Sequence, residues 1–111
     1  MNMRYHDPDL THDESVTDLA TGDVSKVTTA LISVGLNETD CTWAQSVCLQ
    51  HMRDDNEDIA SAAIVAIGHI ARRFGTLDMD KVMPALQQAM RKCPALSGVI
   101  GSAMDDIEMF T

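Results

Sequence analysis

The stretch DIASAAIVAIGHIARRFG, residues 58–75, decides the fold. From Ile59 to Ile70 it is apolar on nearly all sides and too long for an ordinary strand, which predicts a helix in the middle of the molecule. Gly75 follows Phe74 where a left-handed residue ends a helix. Immediately upstream, RDDNED (53–58) holds four acids in five positions. As a calcium loop, Asp54, Asn56 and Asp58 would take positions one, three and five. Position six would then be Ile59, where the sharp turn needs glycine, and position twelve Val65, where a bidentate glutamate is needed. The knot therefore reads chiefly as the start of the central helix, where the macrodipole favours acids, with a secondary role as exposed binding surface.

Working outward, Val24, Val27, Ala30, Leu31 and Val34 recur at spacings of three and four, one buried stripe that Gly35 and Asn37 stop. A further helix runs from an Asp40 N-cap to about Arg53, with Trp43, Val47, Cys48 and Met52 apolar. Downstream, 78–92 predicts a helix burying Val82, Met83, Leu86, Ala89 and Met90, with Pro84 kinking it or sitting in its first turn. A last helix spans about 94–109. A weak one, Asp13 to Thr21, offers Val16, Leu19 and Ala20 as its apolar side, and residues 1–12 are expected to be loosely held. No strand pattern competes with these six helices.

The pattern repeats. SAAIVAIGHIARRF (61–74) aligns with SGVIGSAMDDIEMF (97–110), sharing Ser, Ile and Phe, and SKVTTALISV (25–34) fits the same frame. A period of about 36 to 38 residues made of helix, turn and helix predicts an all-α fold: an α-α superhelix of about three hairpins in a single domain, 1–111.

The block DIASAAIVAIGHIARRFG after an Asp- and Asn-rich turn, with Pro84 in a first helix, resembles HEAT repeats over about residues 23–110. GHIARRFG-LD--KVMPAL with the terminal DDIEMF resembles the small bacterial immunity proteins of contact-dependent growth inhibition, some of which are partners of EndoU-type RNase toxins. The resemblance implies a cytoplasmic inhibitor that binds one toxin domain tightly and performs no chemistry.

Bulk properties agree with a binding protein. The 111 residues hold 8 basic and 17 acidic side chains, a net charge of -9. Phosphate binding runs on Lys and Arg, so this balance argues against a direct nucleic-acid partner and for a basic protein partner. The three cysteines (Cys41, Cys48, Cys93) cannot pair completely and lack CxxC spacing, and no apolar run reaches the roughly 18 residues of a membrane span. A reduced, cytoplasmic monomer without cofactor is expected. His6, His12, His51 and His69 form no ligand-like pairing, with His69 packed mid-helix and His51 on an exposed face. No nucleophile with a base and no phosphate-cradling glycine loop is visible, so an enzyme is not expected.

Eight acids fall at or just before helix starts (Glu38, Asp40, Asp54, Asp55, Glu57, Asp58, Asp78, Asp80), and Arg53, Arg72, Arg73, Arg91 and Lys92 fall in last turns. Asp105, Asp106 and Glu108 break the rule, lying near a helix C-terminus; Asp105 and Asp106 also take the repeat positions of His69 and Ile70. A broken local rule is where function is expected, against the simpler reading that a terminal cap needs solubilising charge. The expected contact residues are Asp105, Asp106 and Glu108, then Asp54, Asp55 and Asp58, meeting a nuclease toxin domain in a 1:1 complex as phosphate mimics. The N-terminal acids (Asp7, Asp9, Asp13, Glu14, Asp18, Asp23) form a solvated face or a second contact strip. The competing expectation is a HEAT-repeat adaptor or scaffold in a regulatory or cofactor-attachment assembly.

Overall fold

The computed structural model describes residues 8–111. Six α-helices follow one another: α1 (His12–Leu19), α2 (Val24–Asn37), α3 (Cys41–His51), α4 (Glu57–Phe74), α5 (Met79–Lys92) and, after a 3-10 turn at Pro94–Leu96, α6 (Ser97–Phe110). The described residues contain no strand. Each helix start has a local cause. The side chains of Asp23, Asp40 and Asn56 accept from the backbone N–H of Lys26, Trp43 and Ile59, and Thr11 and Glu14 form a reciprocal capping box. Gly75 ends α4 at φ 67, a left-handed value that costs an L side chain energy. Pro84 lies inside α5 rather than in its first turn, so the Asp80 carbonyl loses its usual partner.

α4 is the centre. Ile64, Ile67 and Ile70 are fully buried, and α2 (Leu31, Val34), α3 (Ala44, Cys48), α5 (Val82, Leu86) and α6 (Ile100, Ala103, Ile107) pack in one core with them. The radius of gyration, 13.3 Å, matches the about 13 Å of a compact chain of this length.

Three contacts establish how the helices run. Gly35 of α2 abuts Ala66 of α4, and Arg73 at the end of α4 donates to the carbonyls of Gly35 (3.0 Å) and Glu38 (2.8 Å) at the end of α2. Gly68 and Gly75 of α4 face Ala103 and Phe110 of α6. Lys92, ending α5, donates to the carbonyl of Arg53 just beyond α3, 3.0 Å away. So α2, α4 and α6 lie side by side in parallel and finish at one end of the molecule, while α3 and α5 finish at the other. The register is uneven: Gly35 meets Ala66, 31 positions on, but Gly68 meets Ala103, 35 on, a slip of about one helical turn.

The α2–α4 approach depends on glycine. A Cβ at Gly35 would stand 2.8 Å from the Ala66 Cα, a backbone atom that cannot step aside. Gly35→Ala is therefore expected to lower the unfolding free energy by about 1–3 kcal/mol despite alanine's better helix propensity, as urea unfolding would show. A stabilised variant would contradict so tight a contact.

Some expectations change. α1 turns Ser15 inward, whereas Val16 is 45% exposed, Ala20 is an exposed C-cap and Leu19 is half-buried. So short a helix buries one narrow strip against α2, too little for the periodicity of an amphipathic pattern to emerge. Of the segment 1–12 expected to be loosely held, residues 1–7 lie outside the described residues, and the rest is tethered. The Leu10 N–H donates to Ser33 Oγ (2.9 Å) and Asn37 Nδ2 donates to the Pro8 carbonyl (2.7 Å). Trp43, Val47, Met83 and Met90 are half-buried rather than core, and His51 is half-buried, its Nδ1 donating to the Val47 carbonyl at 2.8 Å.

Candidate partner-binding surface

The parallel arrangement of α2, α4 and α6 gathers three helix C-termini at one end of the molecule. Each carries the negative pole of its macrodipole, equivalent to roughly half a charge. Asp105 and Glu108 add their carboxylates there, both exposed and on the last turns of α6. Beside them Met109 is 77% and Phe110 41% exposed, an apolar tip next to acids. The sequence patterns singled out the acids of this tip and not its two apolar residues, which align with Arg73 and Phe74 at the end of α4.

Asp106 differs from its neighbours. Its carboxylate is half-buried and pairs with Arg72 of α4, Oδ1 to Nε 3.2 Å. The room comes from Gly68: a Cβ there would stand 2.9 Å from the Asp106 Oδ2. The Arg72 guanidinium also lies 5.8 Å from the Phe110 ring centroid. Asp106 thus has the compensation that Asp105 and Glu108 lack, and it joins α6 to α4. Arg73, beside Arg72, is spent on the α2 carbonyls.

The second acidic group lies at the other end. Asp54 accepts from the Asn56 N–H (2.8 Å) and Asn56 caps α4, so the knot DDNED is a helix start in the structure. Asp54, Asp55 and Asp58 are all exposed. Asp55 bonds Lys92 at 2.6 Å, and that hydrogen bond, followed by the lysine's charge, lowers its carboxyl below the ordinary value. This pairing is complete above the ordinary aspartate pKa and is lost as pH falls through the lowered one. Gly68, which marks Asp106, stands ten positions along α4 from Asp58, about 15 Å at 1.5 Å per residue. The two groups of acids do not form one patch.

Of the N-terminal acids, Asp7 lies outside the described residues; Glu14 is engaged in the capping box and Asp23 caps α2. Behind them Glu38, at the end of α2, is buried. It accepts from His12 Nδ1 (2.7 Å) and from the Asp40 N–H (2.9 Å), and the His12 ring stacks on Trp43 with centroids 4.3 Å apart. This buried polar joint fastens α1 and α3 to α2.

The chemistry on offer is slight. Among the described residues no group of three or more His, Cys, Asp or Glu is placed to hold a metal ion, and no helix is long and apolar enough to cross a membrane. The three thiols are free; burial alone pushes Cys48 up to about 12, and burial first, then Asp40, raises Cys41. A thiol reagent at pH 8 is expected to leave Cys48 unmodified in the native protein and to label it only on unfolding, since thiolate is the reactive form. Fast labelling of Cys48 in the folded protein would contradict this core.

No family model and no curated protein matches the chain. Among solved structures, it is similar to a chain in the crystal structure of a CDI complex from Cupriavidus taiwanensis LMG 19424. The two share 27% sequence identity, the match covers 98% of each chain, and the TM-score is 0.83.

Proposed function

We propose that this chain is the immunity protein of a contact-dependent growth inhibition system: it binds a cognate nuclease toxin domain one-to-one in the cytoplasm and neutralises it. The observation that carries this reading is the end-to-end likeness, at 27% identity and TM-score 0.83, to a chain of a CDI complex. Such a complex holds a toxin and its inhibitor, and charge distinguishes the roles. An RNase must present Lys, Arg or His to phosphates, whereas this chain has 17 acidic and 8 basic residues. This balance supports the role of the inhibitor, which performs no chemistry itself.

The contact we assign is the end where α2, α4 and α6 finish. Asp105 and Glu108 stand in for RNA phosphates in the toxin's cleft, the α6 dipole, with no basic residue in its last turn, reinforces them, and Met109 with Phe110 supplies the apolar centre that tight interfaces need. Complementary fields also speed the encounter. Asp106 acts from behind, holding α6 against α4. Asp54, Asp55 and Asp58 form a second, weaker contact. We read the alternation of α1, α3, α5 with the parallel α2, α4, α6 as a HEAT-like α-α superhelix of three hairpins, monomeric when free.

Growth tests this reading. Cells expressing the cognate toxin domain should stop dividing, and co-expression of the chain should restore growth. Continued arrest, with both proteins folded and present, would refute it.

A further inference from the structure

A second surface opens between α5 and α6. Leu86 and Ile100 floor a groove of about 360 Å³, and the half-buried methionines Met83, Met90 and Met104 wall it. No other helix of the described residues covers it. Unbranched, polarizable methionine adapts to whatever shape it meets.

The charges at its ends are unequal. Ile100, Met104 and Glu108 recur every four residues, so Glu108 continues the α6 wall. Asp80 lies one turn before Met83 on α5. The hairpin through Cys93 and the 3-10 turn runs the two helices in opposite directions, which brings the exposed Asp80 and Glu108 to the same end. Arg91 borders the opposite end. The groove is thus apolar along its length, anionic at one end and cationic at the other. A second copy of this chain is a poor occupant, because it would bring its own net charge of -9 against Asp80 and Glu108.

We infer that this groove seats an apolar ridge of the basic toxin domain, with a lysine or arginine at the Asp80–Glu108 end and its opposite, non-cationic end at Arg91. The inference rests on the immunity reading. It extends the contact from the α6 tip along the side of the molecule, with Glu108 shared by both surfaces. Apolar contacts along the groove then set residence time, while the acids at the tip set the rate of encounter.

The test uses the whole chain and the cognate toxin domain, with calorimetry on unaltered protein, Met104→Glu and Met90→Glu. Both variants are expected to bind at least tenfold more weakly while keeping the parent's far-ultraviolet spectrum. Methyl-labelled methionine gives a second readout that needs no substitution. The Met83, Met90 and Met104 signals should shift on binding, and Met109 reports the α6 tip separately. If Met109 moves alone and folded variants bind as tightly as the parent, the groove is overturned and the immunity reading stands. If the unaltered chain does not bind the toxin domain at all, both fall. A free chain that sediments as a dimer, and as a monomer after Met104→Glu, would give the groove to a second copy and overturn the inference.

Discussion

Replacing Asp105 and Glu108 together by lysine is expected to weaken inhibition of the cognate toxin by more than tenfold, about 1.4 kcal/mol or more. Both side chains are exposed at the end of α6, and among the described residues no cation pairs with either at salt-bridge distance. Each replacement swaps an attraction for a repulsion, so the local field facing a basic cleft reverses. The loss should fall first on the association rate and shrink as salt rises, because exposed charges act through screened fields. Stability should move the other way. A helix C-terminus prefers cations, and lysine at these positions should leave the melting temperature unchanged or slightly raised. A variant that is stabler yet inhibits poorly separates a binding role from a structural one. An unchanged inhibition constant would remove the α6 tip from the interface. Asp106 is left out of this variant because lysine there would press against Arg72, mixing a folding defect with a binding one.

The largest expected loss of stability comes from Ile67→Ala. Ile67 is fully buried near the middle of α4, in the core shared with α2 and α6. Truncation removes apolar contact and leaves a cavity that close-packed helices fill poorly, which costs about 2–5 kcal/mol. In a domain of this size that lowers the melting midpoint by on the order of 10–20 °C. Val16→Ala is the internal comparison. At 45% exposed, it should cost less than about 0.5 kcal/mol, although sequence pattern places both residues on apolar faces. Equal losses at the two sites, measured by chemical unfolding, would contradict the core described above.

These two residues also mark what could be read without coordinates. α4 was legible from end to end because its signals are local and agree: acids and an Asn56 cap at the start, a long apolar run, and arginines before Gly75. The cap at Asp40 was legible for the same reason, whereas Asp23 read only as one of the N-terminal acids and proves to cap α2. Ser15 was not legible, since a serine facing inward leaves no mark in hydropathy. The methionines of α5 pattern as core, yet Met83 and Met90 are half-buried on the open groove between α5 and α6, an arrangement of helices that hydropathy does not encode. Period reading gave six helices but no sign of the one-turn slip between Gly35–Ala66 and Gly68–Ala103, which depends on which glycine lets two backbones approach.

The candidate site was half legible. Charge order along the chain singled out Asp105, Asp106 and Glu108, yet it could not distinguish Asp106, whose Arg72 partner lies 34 positions away and is reached only through the parallel register of α4 and α6. Nor could it show that the acids of residues 54–58 stand at the other end of the molecule. That separation follows from helix direction, which no spacing encodes.

The most direct test of the proposed role is a titration of the cognate toxin domain's nuclease activity with this chain. Inhibition should rise linearly and be complete at one molar equivalent, while an unrelated RNase of similar basicity keeps its activity. Full nuclease activity in tenfold excess of the chain, or equal inhibition of both nucleases, would contradict the account, the second because a mere polyanion would do the same.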